Sequence, residues 1–229
     1  MEESPRAAQT RARLLNGCAI AVGARGVRST TVEHVVRAAG MSRRTFYLYF
    51  RDKEAVLLGL YEQVVSDLVD RMHSAVREAL GPVPGLLAAI KAYLDIQQEG
   101  GRLIAELQAE AANPASALWP VRVRTVDALV QLTDSEVRSV TGIALHPDVY
   151  AMLFHGLEAL VIQHRDGGPL IDSARDQVES TVRAVILTTL AGASGLPRRE
   201  PDHVEGAEAD GDDDAVADNA DDRGTVSTS

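Results

Sequence analysis

Eight consecutive residues, Ser42-Arg43-Arg44-Thr45-Phe46-Tyr47-Leu48-Tyr49, bring together two guanidiniums and four hydroxyls. A planar guanidinium offers paired donors that match the two acceptors on a guanine edge, whereas hydroxyls and ammonium groups suit phosphate oxygens. Arg43 and Arg44 are therefore the candidates for base edges. Thr30, Thr31, Ser42, Thr45, Tyr47, Tyr49 and Lys53 are the candidates for the backbone of double-stranded DNA. Phe46 and Phe50 are four apart and should face inward as the anchor of that segment.

Charge distribution supports a polyanionic partner for this segment alone. The whole chain of 229 residues carries a net charge of −10, but residues 1–53 hold ten Arg/Lys against four Asp/Glu. Residues 54–196 hold ten against eighteen, and residues 197–229 three against eleven. A basic head thus precedes an acidic body and an acidic tail, and only the head has the sign to meet phosphates. The tail, 197–229, includes Asp212-Asp213-Asp214 and almost no large apolar residue, so it is expected to be a disordered extension.

Positioning these groups requires short helices and a tight turn. A first helix is expected over 8–24, ending at Gly26 and burying Leu14, Leu15, Cys18 and Val22. Arg6, Arg11 and Arg13 are expected to lie on an unstructured arm rather than to read the minor groove. A second helix, 32–39, starts from Thr31 as N-cap and ends at Gly40, where a left-handed backbone costs glycine little. A third opens at Ser42 and runs to Tyr49, giving a helix-turn-helix whose second helix would enter the major groove. A fourth opens at Asp52 with Val56, Leu57, Leu60, Val64, Leu68, Met72 and Val76 on one stripe, and stops at Gly81-Pro82.

The run from Thr30 through Ala39-Gly40, Ser42-Arg43-Arg44-Thr45 and Tyr47-Leu48-Tyr49-Phe50 to Lys53-Glu54 resembles the TetR family of transcriptional regulators. The resemblance covers about residues 8–60, with Val36, Arg44 and Leu48 departing from the usual residues. It implies an all-α fold in which a three-helix head is joined by a long helix 4 to a helical bundle. That bundle would bind a small molecule and pair with a second copy, so that two heads read a palindromic operator. The implied domains are 1–52 for DNA binding, 53–196 for ligand binding and dimerisation, and the tail 197–229.

Beyond the head, helices are expected over about 84–98, 102–112, 118–140, 147–164 and 173–191, separated by Gly and Pro. Helix 147–164 is apolar on most sides and helix 173–191 is its natural partner in a seam between two chains. Candidate effector contacts are Tyr93, Leu94, Leu107, Trp119, Val123, Val126, Phe154, His155 and Glu158, a mostly apolar set that suits a hydrophobic or amphipathic molecule. His155 and Glu158 are expected to satisfy each other as an internal pair.

The six histidines form no i,i+4 pair, and CxxC, phosphate-cradling loop and nucleophile elbow are all missing from the sequence. No catalytic activity, cofactor or metal site is expected. A lone cysteine and the absence of a long apolar run point to a cytoplasmic protein with no membrane partner. The reading is a ligand-responsive regulator, with repression the expected mode. The alternatives are a DNA-binding protein that ignores ligands, or a helical small-molecule binder that does not touch DNA.

Overall fold

The computed structural model describes residues 4–142, 145–165 and 170–193, and all regular structure among them is helical. The order is α1 (Pro5–Arg25), α2 (Val32–Ala39), α3 (Arg43–Tyr49), α4 (Lys53–Glu78), α5 (Pro82–Ala111), α6 (Trp119–Thr141), α7 (Pro147–His164) and α8 (Asp172–Ala193). The tail expected beyond Pro197 lies outside the described residues.

The first helix begins earlier than its hydrophobic stripe. Ser4 caps it by accepting from the Ala7 amide at 3.3 Å, and Pro5 stands in the first turn, where its missing N–H costs nothing. The expected unstructured arm is accordingly a correction: Arg6, Arg11 and Arg13 are helical. Arg11 lies 5.5 Å from the centroid of the Phe50 ring, and Arg13 donates to the Ala39 carbonyl at 3.1 Å. Both are occupied in holding α1 against the rest of the head.

Two apolar cores share α4. The first joins Leu14, Cys18 and Val22 of α1 to Val35 of α2, Phe46 of α3 and Val56 of α4. It also takes in Leu107, Ala111, Leu118 and Val121 from α5 and α6, so the head is seated on the body through buried apolar surface. The second gathers Met72, Tyr93, Leu94, Leu157, Val161 and Val178. At 26 residues, about 39 Å, α4 is long enough to supply Val56 to one core and Met72 to the other.

Two glycines set the geometry. Gly17 of α1 is buried at the crossing with α2, where a Cβ would stand 2.7 Å from the Val35 carbonyl oxygen and 2.8 Å from the Ala39 Cβ. Only a residue without a side chain lets the two helices approach so closely. Gly101, at φ 48° and ψ −126°, breaks α5 in mid-course. The two helices expected over 84–98 and 102–112 are thus the two halves of one element, divided at that break.

Candidate nucleic-acid interface and effector cavity

Local capping holds the two short helices in place. Thr31 accepts from the His34 amide at 3.4 Å, and the His34 Nδ1 accepts from the Thr31 amide at 3.3 Å. Gly40 follows α2 in the left-handed region, at φ 63°. Ser42 then accepts from the Thr45 amide at 3.0 Å, and the two side-chain hydroxyls are 2.9 Å apart. Phe46 is fully buried and packs at 5.8 Å against Phe50, so α3 is held by one apolar edge and presents the other outward.

That outward edge carries Arg43, Arg44 and the half-exposed Tyr47, with Leu48 76% exposed beside them. The Tyr47 hydroxyl, hydrogen-bonded to Arg43 one turn away, holds that guanidinium above its ordinary range. No carboxylate among the described residues forms an ion pair with Arg43 or Arg44, whereas Arg37 is paired with Glu33 at 3.7 Å. Thr31 and Ser42 are exposed beside this edge; Thr45 and Tyr49 are half-buried. The Lys53 ammonium is partly covered, 3.5 Å from the Val27 carbonyl. Thr30 is a correction. Its side chain is inside, donating to the Gly26 carbonyl at 2.8 Å, because this hydroxyl closes the turn before α2.

The body encloses two neighbouring cavities of about 80 and 90 Å³. The first is apolar and is lined by residues such as Leu86, Val137, Tyr150, Leu153, Val182 and Ile186. The second has a polar end made by Tyr61, Tyr93, Gln97, Gln108, Arg122 and Glu158. Met72, Ile90, Phe154 and Leu157 line both and form the wall between them.

At the polar end Arg122 grips Glu158 with both terminal nitrogens, at 2.5 and 2.6 Å, and also meets His155 Nδ1 at 3.2 Å. Gln108 Nε2 donates to the Tyr93 hydroxyl at 3.1 Å, and the buried Gln108 Oε1 has no hydrogen-bond partner. Burial pushes the Tyr61 hydroxyl up to about 12 and the Tyr93 hydroxyl higher still, so both remain protonated donors. Behind the wall, the buried Arg165 donates to the Gln97 carbonyl at 3.1 Å and to its side-chain oxygen; burial lowers its pKa.

Of the nine expected contacts, Tyr93, Val126, Phe154 and Glu158 line the second cavity. The other five are corrections. Leu94 is fully buried in the body core without reaching either cavity, and Leu107 belongs to the head core. On α6 the residues Arg122, Thr125, Val126 and Leu129 form the inward row, which leaves Trp119 off the lining and Val123 at the surface. His155 is exposed; the expected internal pair with Glu158 is a looser 3.6 Å contact beside the tighter Arg122 grip.

The profile of the bacterial regulatory proteins, tetR family, matches residues 19–60. The fatty acid metabolism regulator protein of Bacillus subtilis is 30% identical over 53 residues, which span 23% of this chain and 27% of that protein. The matched residues 19–60 embrace the capped turn and the outward arginines. The head of this chain, residues 19–60, is a tetR-family segment.

Solved structures extend the likeness to the fold. The fatty acid degradation regulator FadR from Bacillus halodurans superposes with a TM-score of 0.64 at 18% identity, covering 87% of this chain and all of that one. A TetR-family transcriptional regulator from Streptomyces coelicolor gives 0.64 at 20% identity, over 85% and 98%. Within the described residues no helix is long and apolar enough to cross a membrane, and no group of three or more His, Cys, Asp or Glu could hold a metal.

The functional groups missed by sequence reasoning are Tyr61, Gln97, Gln108 and Arg122. One signal was available: Glu158 lies on the most apolar helix and needed a partner. Arg122, in register with Thr125, Val126 and Leu129, was the basic residue on an otherwise inward row.

Proposed function

We propose that this chain is a cytoplasmic, dimeric repressor that binds a palindromic operator and is released by a small hydrophobic or amphipathic effector. The observation that carries the proposal is the outward Arg43-Arg44-Tyr47 edge, held by buried Phe46 on a head that α5 ties to the cavities. The tie is polar as well as apolar. Glu106 accepts from the Val27 amide at 3.0 Å, and Arg102 donates to the Ala24 carbonyl at 3.2 Å. The same half of α5 lends Ile104 and Gln108 to the second cavity.

Residues 1–52 would serve as the reader, 53–196 as the sensing and pairing body, and 197–229 as an accessory tail. Pairing would use α7 and α8, where Met152, Ile162 and Leu187 are 65%, 60% and 46% exposed while Leu157, Val161 and Val178 point inward. Large apolar groups facing out from two adjacent helices are what a two-chain helical seam would cover. Named relatives regulate fatty acid metabolism, in keeping with an apolar effector, though the sequence match to the B. subtilis protein is confined to about a quarter of its length.

Selection of bound sequences from a random DNA pool tests the reading. A symmetric consensus, with half-sites about 34 Å apart or a multiple of that, is the expected result. Binding should be strongly salt-dependent and be lost when Arg43, Arg44 and Tyr47 are replaced together by Ala. Absence of any measurable affinity for DNA in the native protein would favour the small-molecule binder instead; sequence-specific binding that no effector relieves would favour the ligand-independent regulator.

A further inference from the structure

The two cavities have complementary characters, one apolar and the other closed by a defined set of polar atoms, and they share a side-chain wall. We infer that they form one site for a neutral amphipathic molecule, its head at Tyr93 and Gln108 and its tail passing Phe154 into the cavity walled by Leu153 and Val182. This deepens the effector reading above and rests on it.

The head chemistry follows from which hydrogen-bonding capacity is spent. Arg122 and Glu158 neutralise each other through two short bonds, so neither is free to anchor an opposite charge without losing its partner. Arg165 lines neither cavity; it spends one nitrogen on Gln97, and its Nε and Nη1 are buried without a partner. Among the lining residues, the buried side-chain atom left without a partner is Gln108 Oε1, beside the Tyr93 hydroxyl. With Gln108 donating to the tyrosine oxygen, the Tyr93 hydrogen remains available as a donor and the orphaned Gln108 Oε1 as an acceptor. Turning the amide over makes Tyr93 the donor to Gln108 Oε1 and leaves the amide hydrogens beside the tyrosine oxygen, so donors and an acceptor stand side by side either way. A carboxamide or an alcohol satisfies both. A carboxylate has no proton to give and leaves the acceptor unmet.

The tail follows from size. Cavities of about 80 and 90 Å³ each hold roughly half a dozen water-sized groups, at about 10–15 Å³ apiece. A ligand of about a dozen non-hydrogen atoms fills both once the Phe154 side chain turns aside. Beyond Phe154 a tail would meet Leu153, Val182 and Ile186, with no charged group in that lining.

The test is calorimetric titration of the full chain with octanamide, decanamide and decanoate near pH 8. Decanamide should bind about tenfold or more tightly than decanoate, from the unmet acceptor. It should also bind about tenfold tighter than octanamide, from two further buried methylenes. In Gln108→Leu the preference for amide over carboxylate should shrink severalfold. In Leu153→Trp, and independently in Thr133→Leu should the first fail to fold, the two amides should bind alike because the far cavity is filled.

Decanoate binding as tightly as decanamide, a chain-length step that survives in both filled variants, or no decanamide binding up to its solubility limit would each overturn the inference. Operator release is read separately. Decanamide that binds as expected yet leaves DNA bound would refute the effector reading and keep the site; release by another molecule, with decanamide inert, would do the reverse.

Discussion

Removing Glu158 should cost more than removing both members of its pair. Arg122 and Glu158 side chains are only 14% and 20% exposed and are joined by bonds of 2.5 and 2.6 Å. Glu158→Leu would leave a guanidinium buried without its counter-charge, which typically costs about 3–5 kcal/mol. The low end, about 3 kcal/mol, is expected because His155 Nδ1 still stands 3.2 Å from Arg122. Arg122→Met leaves a lone buried carboxylate, which is destabilising for the same reason. The double variant Arg122→Met/Glu158→Leu replaces the pair by apolar groups of similar size and should lie within about 1 kcal/mol of the parent. Urea denaturation of all four proteins closes the cycle, with a coupling energy of about 3 kcal/mol expected. Should the double variant be as unstable as the two single losses added together, the two residues act independently and the reasoning fails.

Gly17→Ala adds helix propensity worth up to about 1 kcal/mol but drives a methyl into α2 backbone atoms that cannot rotate away, so a net loss of about 1–2 kcal/mol is expected by denaturation. At Asp95, burial favours the protonated form, yet hydrogen bonds from Lys91 and Arg175 prevail and lower the pKa. The stability advantage of the parent over Asp95→Asn should be present above about pH 4 and disappear as pH falls through the lowered pKa. Burial pushes the Cys18 thiol up to about 12, so maleimide labelling near pH 8 should proceed only at the rate of unfolding; fast labelling of folded protein would contradict this packing. Glu106→Ala should remove about 1–3 kcal/mol by stranding the part-buried Val27 amide, whereas Glu106→Gln, which keeps an acceptor, should retain most of it.

The head was legible because its determinants are local. Thr31, Gly40 and Ser42 announce two caps and a turn within a dozen residues, and Phe46 and Phe50 mark the buried edge by their spacing alone. Thr30 was misplaced because its partner, the Gly26 carbonyl, lies in a loop whose path no periodicity describes. Arg11 and Arg13 were misjudged for a related reason: on an exposed first turn a guanidinium reads as free surface, although here one covers an aromatic ring and the other reaches a carbonyl 26 residues on. The cavity was harder. Leu94, Leu107 and Tyr93 are all apolar inward positions on one helix, and sequence gives no means to tell which faces a void and which a neighbour. The Arg122–Glu158 pair spans 36 residues, so its existence depends on how α6 and α7 pack.

Gly101 gives the link between cavity and head its mechanical sense. Ile96 and Gln97 precede the break and Ile104 and Gln108 follow it, and all four line the second cavity. An unbroken helix would transmit any shift to both halves alike. The break at Gly101, at φ 48°, divides α5 into two halves that need not share one axis. That second half is also the one bearing Arg102 and Glu106, which hold Ala24 and Val27 at the end of α1. A molecule that separates Gln97 from Gln108 would thus act on the seat of the head while touching nothing in it. Its leverage is bounded: it can favour the displaced arrangement only by the difference in its affinity for the two, so a hundredfold loss of operator binding requires a differential of about 2.7 kcal/mol. Burying three or four further methylenes in one arrangement and not the other is of that order, which is within reach of a chain long enough to pass Phe154.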